Sequence, residues 1–116
     1  HPTAVVSSFA SIRVGATIMA NAVVNPGARL GANVIVNSGA IVEHDCVIGD
    51  HVHVSTGARI ASTVRVGEGA HIGVGATVKQ CICIGEDSIV GAGSVVVKTV
   101  HPCSVVAGVP AGPLDE

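Results

Sequence analysis

Aliphatic side chains recur at every sixth position along most of the chain. The series runs from Val6 to Val96, and each of its sixteen members is Val, Ile or Leu. Two positions before each later member lies a second, usually smaller residue, most often Ala. Residues two apart lie on one face of a strand. Each hexapeptide therefore predicts a short strand that buries two side chains.

A third set of positions with the same six-residue spacing predicts tight turns. Among the fifteen residues at every sixth position from Gly15 to Thr99, eleven are Gly, Asn or Asp, which tolerate a positive φ. A helix would need a period near 3.6 residues, and hairpins would give irregular loop lengths. The pattern favours an all-β fold in which flat strands stack coil on coil, the hexapeptide type of parallel β-helix.

The composition fits a narrow protein interior. The 116 residues include 23 Val, 15 Gly and 15 Ala but one Phe and no Tyr or Trp, so β-branched side chains must fill the core. With 48% hydrophobic and 12% charged residues, the chain can bury enough apolar surface to exclude disorder. Its longest unbroken apolar run, Cys81 to Ile84, is far shorter than a membrane span requires.

Charge and cysteine content exclude further classes of protein. Six basic and eight acidic residues give a net charge of −2, and the basic residues are scattered. We therefore expect neither a nucleic-acid partner nor a membrane partner. Cys81 and Cys83 lie one residue apart, and no signal peptide is recognisable. These features predict reduced thiols in a cytoplasmic protein.

The run of sixteen hexapeptides resembles the hexapeptide-repeat acyltransferases. The resemblance implies a left-handed parallel β-helix of triangular section with three hexapeptides per coil, hence a little over five coils here. We expect one domain over residues 1–116, with coils over about 4–100 and a C-terminal tail over 101–116. The segment His1 to Ala4 resembles the point at which the β-helix follows an N-terminal nucleotide-sugar-binding domain, so we expect that domain to be absent from this chain.

Some outward strand positions are also apolar. Isolated surface hydrophobes are common, but a set of this size favours an oligomer interface, and the family resemblance implies a homotrimer. The residues are Val23, Ile35, Ile41, Val47, Ile89 and Val95.

Candidate chemistry concentrates between residues 36 and 58, which contain three of the six histidines. His44 lies in the turn just after Val42, so its ring should point outward, and Glu43 and Asp45 flank it. Neutral imidazole accepts a proton near pH 7, and a carboxylate can hold the ring and stabilise the imidazolium. The spacing alone leaves a general base and a solvated surface histidine equally open.

Residues 37–58 resemble the signature of sugar acetyltransferases that modify sialic acid or the amino groups of nucleotide-activated sugars. That resemblance implies that His44 is the general base, that Asp45 orients it, and that Asn37 and His53 bind substrate near the reacting groups. It also implies acetyl-CoA as co-substrate, bound in a groove between subunits. The acceptor would attack the thioester directly.

The residues that contact CoA in the family are only partly matched in this sequence. A backbone amide one coil beyond the base corresponds to Ser62, where the family usually has Gly. Relatives often carry Lys after the final Pro-Ala pair, but this chain has Gly112, so Lys98 or Lys79 would have to contact the CoA phosphates instead.

Three alternatives remain open from the sequence. Cys46 lies two residues from His44 and invites a nucleophile interpretation, but its phase places it inside, where Cys acts as a small hydrophobe. His53 and His71, eighteen residues apart, should stack near His51, as in a zinc-dependent carbonic anhydrase class of the same fold. The expected paired spacing of that class is absent, so we expect no metal. The third alternative is a non-catalytic trimeric scaffold.

Overall fold

Eighteen short strands form the fold in the computed structural model, which describes residues 1–114. No described residue lies in a helix, so nothing in this part of the chain forms a helix able to cross a membrane. The strands are β1 (Val5–Val6), β2 (Ser11–Ile12), β3 (Thr17–Ile18), β4 (Val23–Val24), β5 (Arg29–Leu30), β6 (Ile35–Val36), β7 (Ile41–Val42), β8 (Val47–Ile48), β9 (His53–Val54), β10 (Arg59–Ile60), β11 (Arg65–Val66), β12 (His71–Ile72), β13 (Thr77–Val78), β14 (Cys83–Ile84), β15 (Ile89–Val90), β16 (Val95–Val96), β17 (Val105–Ala107) and β18 (Gly112–Pro113).

The strands build three faces of a solenoid, and they pair in parallel except for β17 and β18, which pair antiparallel. Face A contains β1, β4, β7, β10, β13 and β16; face B contains β2, β5, β8, β11 and β14; face C contains β3, β6, β9, β12, β15, β17 and β18. Up to β16, each strand pairs with the strand three further on, as in the pairing of Val5 with Val23. A coil is therefore eighteen residues, and the predicted β-solenoid is confirmed, consistent with a left-handed β-helix.

The predicted inward positions form the core. From Val24 to Val96, the thirteen aliphatic residues at every sixth position are each at most 3% exposed. The equivalent residues of the first coil are more exposed to solvent, because that coil packs against another coil on one side only. Val6 and Ile12 are each 40% exposed. Aliphatic side chains fill the prism, and the small residues two positions earlier allow the strands to close around them.

The turn phase is also confirmed. All fourteen positions from Gly15 to Gly93 in steps of six have a positive φ. They include Thr63 and Cys81, residue types that seldom adopt this conformation. The repeat therefore imposes the turn even where the local residue does not favour it.

The last coil is two residues shorter than the others. Ile84 bridges Val100 and Ile89 pairs with Val105, a separation of sixteen residues. Thr99, the last position of the predicted turn series, has no positive φ, and the next positive φ falls at Cys103, sixteen residues after Asp87. Strand β17 thereby continues face C into the predicted tail, and the solenoid has about six turns.

The outward apolar residues are spread over all three faces. Val23, Ile41 and Val95 lie on face A, Val47 on face B, and Ile35 and Ile89 on face C. Ile35 and Ile89 are well exposed in the single chain.

Candidate active site

His44 and Asp45 form the hydrogen-bonded pair that the motif predicted. They lie in the corner between β7 and β8, on an edge of the prism that we call edge AB (residues 7–10, 25–28, 43–46, 61–64, 79–82 and 97–100). His44 Nδ1 is 3.0 Å from Asp45 Oδ2, and the two side chains are 55% and 66% exposed. A carboxylate can only accept here, so Nδ1 donates and the lone pair of Nε2 is available to solvent or substrate.

The turn conformation makes this contact between adjacent residues possible. Asp45 has a φ of 60°, and its amide donates to the Pro26 carbonyl one coil away. The other Asp45 oxygen, Oδ1, lies where a Cβ at Gly27 would collide with it. Glycine at position 27 therefore leaves the space that the carboxylate occupies.

Glu43 is also fixed by the preceding coil. Asn25 donates from Nδ2 to Glu43 Oε2 at 3.0 Å. The sequence motif includes Glu43, but nothing in it points to Asn25. The signal available was the spacing of eighteen residues, which places both at the same point of edge AB.

Ser62 and Lys98 lie on the same edge as His44. The four residues His44, Ser62, Gln80 and Lys98 follow one another at intervals of one coil. Thr63 donates its amide to the His44 carbonyl at 3.1 Å, which fixes Ser62 one coil beyond His44. Within residues 1–114 the Ser62 amide has no hydrogen-bond acceptor, so it is free to bind a ligand.

A shallow groove follows the C-terminal half of this edge. Lys79, Gln80, Val97 and Lys98 line it. Both lysines that the sequence put forward for phosphate contacts therefore border one groove, and Lys98 is exposed.

Asn37 and His53 contact each other but lie apart from His44 within one chain. His53 projects from face C, and Asn37 lies in the corner between faces C and A. Asn37 Nδ2 is 3.3 Å from His53 Nε2. Strand β7 separates this pair from edge AB, so a single chain does not assemble all four predicted substrate and catalytic residues.

His71 and Ser55 extend the Asn37–His53 pair along face C. The rings of His53 and His71 pack with their centroids 4.8 Å apart, as their spacing predicted. Ser55 Oγ is 3.0 Å from His71 Nε2, and Ser55 is only 4% exposed. Burial, and secondarily the neighbouring His71, lower the pKa of His53. Sequence reasoning did not assign a site role to His71 or Ser55.

Cys46 is buried, as its phase predicted. Its thiol donates to the Ala61 carbonyl at 3.0 Å, and burial raises the pKa of the thiol. A buried thiol that resists ionisation is a poor nucleophile. All four cysteines are free, and the described residues contain no cluster of three or more His, Cys, Asp or Glu side chains.

The stacked hexapeptides and the outward His-Asp corner are the features expected of the hexapeptide-repeat transferases. The family model for bacterial transferase hexapeptide repeats (six repeats) matches residues 28–62. The chain belongs to the hexapeptide-repeat transferases. Curated protein sequences gave no match.

Several solved structures are similar to the chain. The acetyltransferase domain of PglB from Neisseria gonorrhoeae FA1090, also solved with acetyl coenzyme A, is 44% identical over 98% of this chain with a TM-score of 0.98. PerB from Caulobacter crescentus, solved with CoA and GDP-perosamine, is 41% identical over 99% of this chain, also with a TM-score of 0.98. Soybean serine acetyltransferase is 34% identical over 77%, with a TM-score of 0.73. This chain spans 56% of the solved PglB and PerB chains and 41% of the soybean chain.

Proposed function

We propose that this chain is the catalytic domain of an acetyl-CoA-dependent sugar acetyltransferase that acetylates the amine of a nucleotide-linked amino sugar. The similarity to PglB and PerB supports the reaction and the class of acceptor. The observation that carries the proposal is the His44–Asp45 pair, whose Nε2 is directed outward on the same edge as the free Ser62 amide. A hydroxyl acceptor of the sialic acid type is a less well supported variant of the same reaction.

His44 would act as the general base. Asp45 accepts a hydrogen bond from the Nδ1–H group, which holds the proton on Nδ1 and leaves Nε2 unprotonated in the neutral ring. As the acceptor amine attacks the thioester carbonyl, Nε2 takes the amine proton, and Asp45 stabilises the imidazolium that forms. The C–S bond then breaks, and the proton can pass from the imidazolium to the departing thiolate.

Ser62 and Lys98 would bind the donor along edge AB. The Ser62 amide, one coil from the base, is suited to donate to the oxyanion of the tetrahedral intermediate. Lys98 lies three coils beyond His44, about 14 Å at the usual strand spacing. It can therefore neutralise phosphate charge at the far end of an extended CoA molecule.

A second copy of the chain would complete the site. Asn37 and His53 lie across face A from His44 within one chain, so a neighbour that packs its face C near edge AB would bring them to the reacting groups. The exposed apolar residues Ile35 and Ile89, on either side of the His53–His71 pair, support such packing. We propose a cytoplasmic homotrimer with one site per interface; a sedimentation mass corresponding to a monomer would contradict this assembly.

Acetyl transfer to a panel of nucleotide-linked amino sugars tests the proposal. His44→Ala should lower kcat by about 10²–10⁴-fold, the usual contribution of a general base. The matched control is His51→Asn, because His51 is exposed in a corner with a φ of 60°, which Asn tolerates. Full activity of His44→Ala would overturn the mechanism. Stoichiometric zinc, or no transfer to any acceptor, would overturn the acetyltransferase assignment in favour of a hydratase or a scaffold.

A further inference from the structure

Asn37, His53, His71 and Ser55 form one continuous polar chain along face C. We propose that His71, held by Ser55, is a positioning residue that keeps His53 neutral and oriented, with Nε2 as an acceptor and the Nδ1–H group as a donor toward bound substrate. The role of His71 in binding rests on the proposed function. The protonation state and tautomer of His53, by contrast, are properties of the protein without substrate and can be measured in its absence.

The orientation of Asn37 sets the proton position on His53. The Ser38 amide donates to Asn37 Oδ1 at 2.7 Å, which identifies that atom as the oxygen. Nδ2 is then the atom 3.3 Å from His53 Nε2, and an amide nitrogen can only donate. His53 Nε2 must therefore accept, which places the ring proton on Nδ1.

Ser55 fixes the ring that packs on His53. Its hydroxyl is 3.0 Å from His71 Nε2, and because Ser55 is 4% exposed it has little access to solvent as an alternative partner. The two rings are tilted by 59° with centroids 4.8 Å apart. Parallel pairing of β9 with β12 places His71 directly beside His53. His53 cannot rotate freely without losing these contacts.

Face C provides little stabilisation for a charged His53. Besides the two histidines, its strand residues carry no charged group, and the outward positions on the neighbouring strands are Thr17, Ile35, Ile89 and Val105. The titratable groups on the corners that precede these strands are Asp50, His51, Glu68, Glu86 and Asp87, and Asp50 already accepts from the Ala32 amide at 2.8 Å. Together with burial and His71, which lower the pKa of His53, this environment favours the neutral ring.

The neutral tautomer has a definite use in binding. With Nε2 occupied by Asn37, the Nδ1–H group has no hydrogen-bond acceptor among the described residues. It is therefore available to a carbonyl or hydroxyl oxygen of a bound acyl donor or sugar. A protonated or rotated ring would lose either the Asn37 contact or this donor.

Nitrogen-15 NMR of the imidazoles in the full chain tests the ring state. We expect the Nδ1–H tautomer for His53 and a titration midpoint below that of an ordinary histidine. His71→Ala should raise the midpoint and mix the tautomers, whereas His71→Phe, which keeps the ring packing, should leave the midpoint closer to wild type. An Nε2–H tautomer in the wild type, or a His53 signal unchanged in His71→Ala, would overturn the proposal.

Kinetics test the positioning role separately. Ser55→Ala and His71→Ala should raise KM for a substrate about three- to tenfold, the effect of one misplaced hydrogen bond, while kcat changes less than twofold. His51→Asn is the control, since His51 is outside the network. If these variants change the tautomer of His53 but not KM, the network does not position the substrate, and that part of the proposal is wrong. A complete lack of transfer in the wild type would instead contradict the proposed function and leave the NMR result valid.

Discussion

Thr63 donates its amide to the carbonyl of His44 at 3.1 Å, a hydrogen bond that joins the candidate base to the next coil. Residue 62 is thereby held one coil beyond the histidine. A base and an oxyanion donor must keep a fixed separation during acyl transfer. In this fold the separation is set by the stacking of coils, so side chains on edge AB can change without altering it.

Asp45→Asn should reduce activity without unfolding the corner. Asn tolerates the positive φ at this position, but it lacks the charge that stabilises the imidazolium. We expect kcat to fall about 10- to 100-fold, as for loss of one charge-assisted hydrogen bond. Asp87→Asn is the matched control, because Asp87 has a similar φ of 53° in a corner between faces B and C. Equal losses in both variants would show that Asp45 acts only on the fold.

Removing the Ser62 amide hydrogen should affect catalysis more than stability. Ser62 precedes the positive-φ residue of its turn, a position where proline is favourable, and Pro26 occupies the equivalent position two coils earlier. Since the Ser62 amide has no acceptor within residues 1–114, Ser62→Pro breaks no internal hydrogen bond. We expect kcat to fall about 10²–10³-fold with little change in Tm.

Two further variants serve as controls for Ser62→Pro. Ser62→Gly keeps the amide and should retain activity. Glu68→Pro places proline at the equivalent position of a corner between faces B and C, and it should also remain active. If Ser62→Pro retains wild-type kcat, its amide is not the oxyanion donor.

Gly27→Ala should disturb the base through Asp45. Gly27 has a φ of +76°, and an added Cβ would collide with Asp45 Oδ1. We expect a loss of stability above the roughly 1–2 kcal/mol of a strained left-handed alanine, together with reduced kcat as the carboxylate moves away from His44. Thermal unfolding and acetyl transfer measure the two effects.

Gly69 provides the matched control for Gly27. A Cβ there would collide with Asp87 Oδ1, away from edge AB. Gly69→Ala should therefore match the stability loss but keep kcat. Gly39→Ala, at a φ of +69° with open space around it, should be the least destabilising of the three. Equal kcat for the Gly27 and Gly69 variants would contradict a role for Gly27 in placing Asp45.

The repeat made the fold predictable and left the side-chain contacts unpredicted. A period of six residues identified every inward position from Val24 to Val96, because burial in a narrow prism depends on phase alone. It failed after Val96, where the coil shortens, Thr99 has no positive φ and the next positive φ falls at Cys103. The Asn25–Glu43 and Ser55–His71 contacts join residues eighteen and sixteen apart and depend on side-chain rotamers. The sequence placed them on neighbouring coils but could not establish that they bond.

His53 should make the stability of the protein sensitive to mild acid. Its pKa is lowered from 6.5 in the folded state, first by burial and then by His71. In the unfolded chain the same group takes up a proton near its ordinary value, so the unfolded state binds more protons as the pH falls below about 6.5. Stability should therefore decrease from that pH down to the folded-state value, whereas above it the ring is neutral in both states and contributes no pH dependence. As the pH is lowered through this range, the urea unfolding midpoint of the wild type should fall relative to that of His53→Gln, which has no group that titrates at this position. A stability difference between wild type and His53→Gln that is constant with pH would mean that folding does not perturb His53.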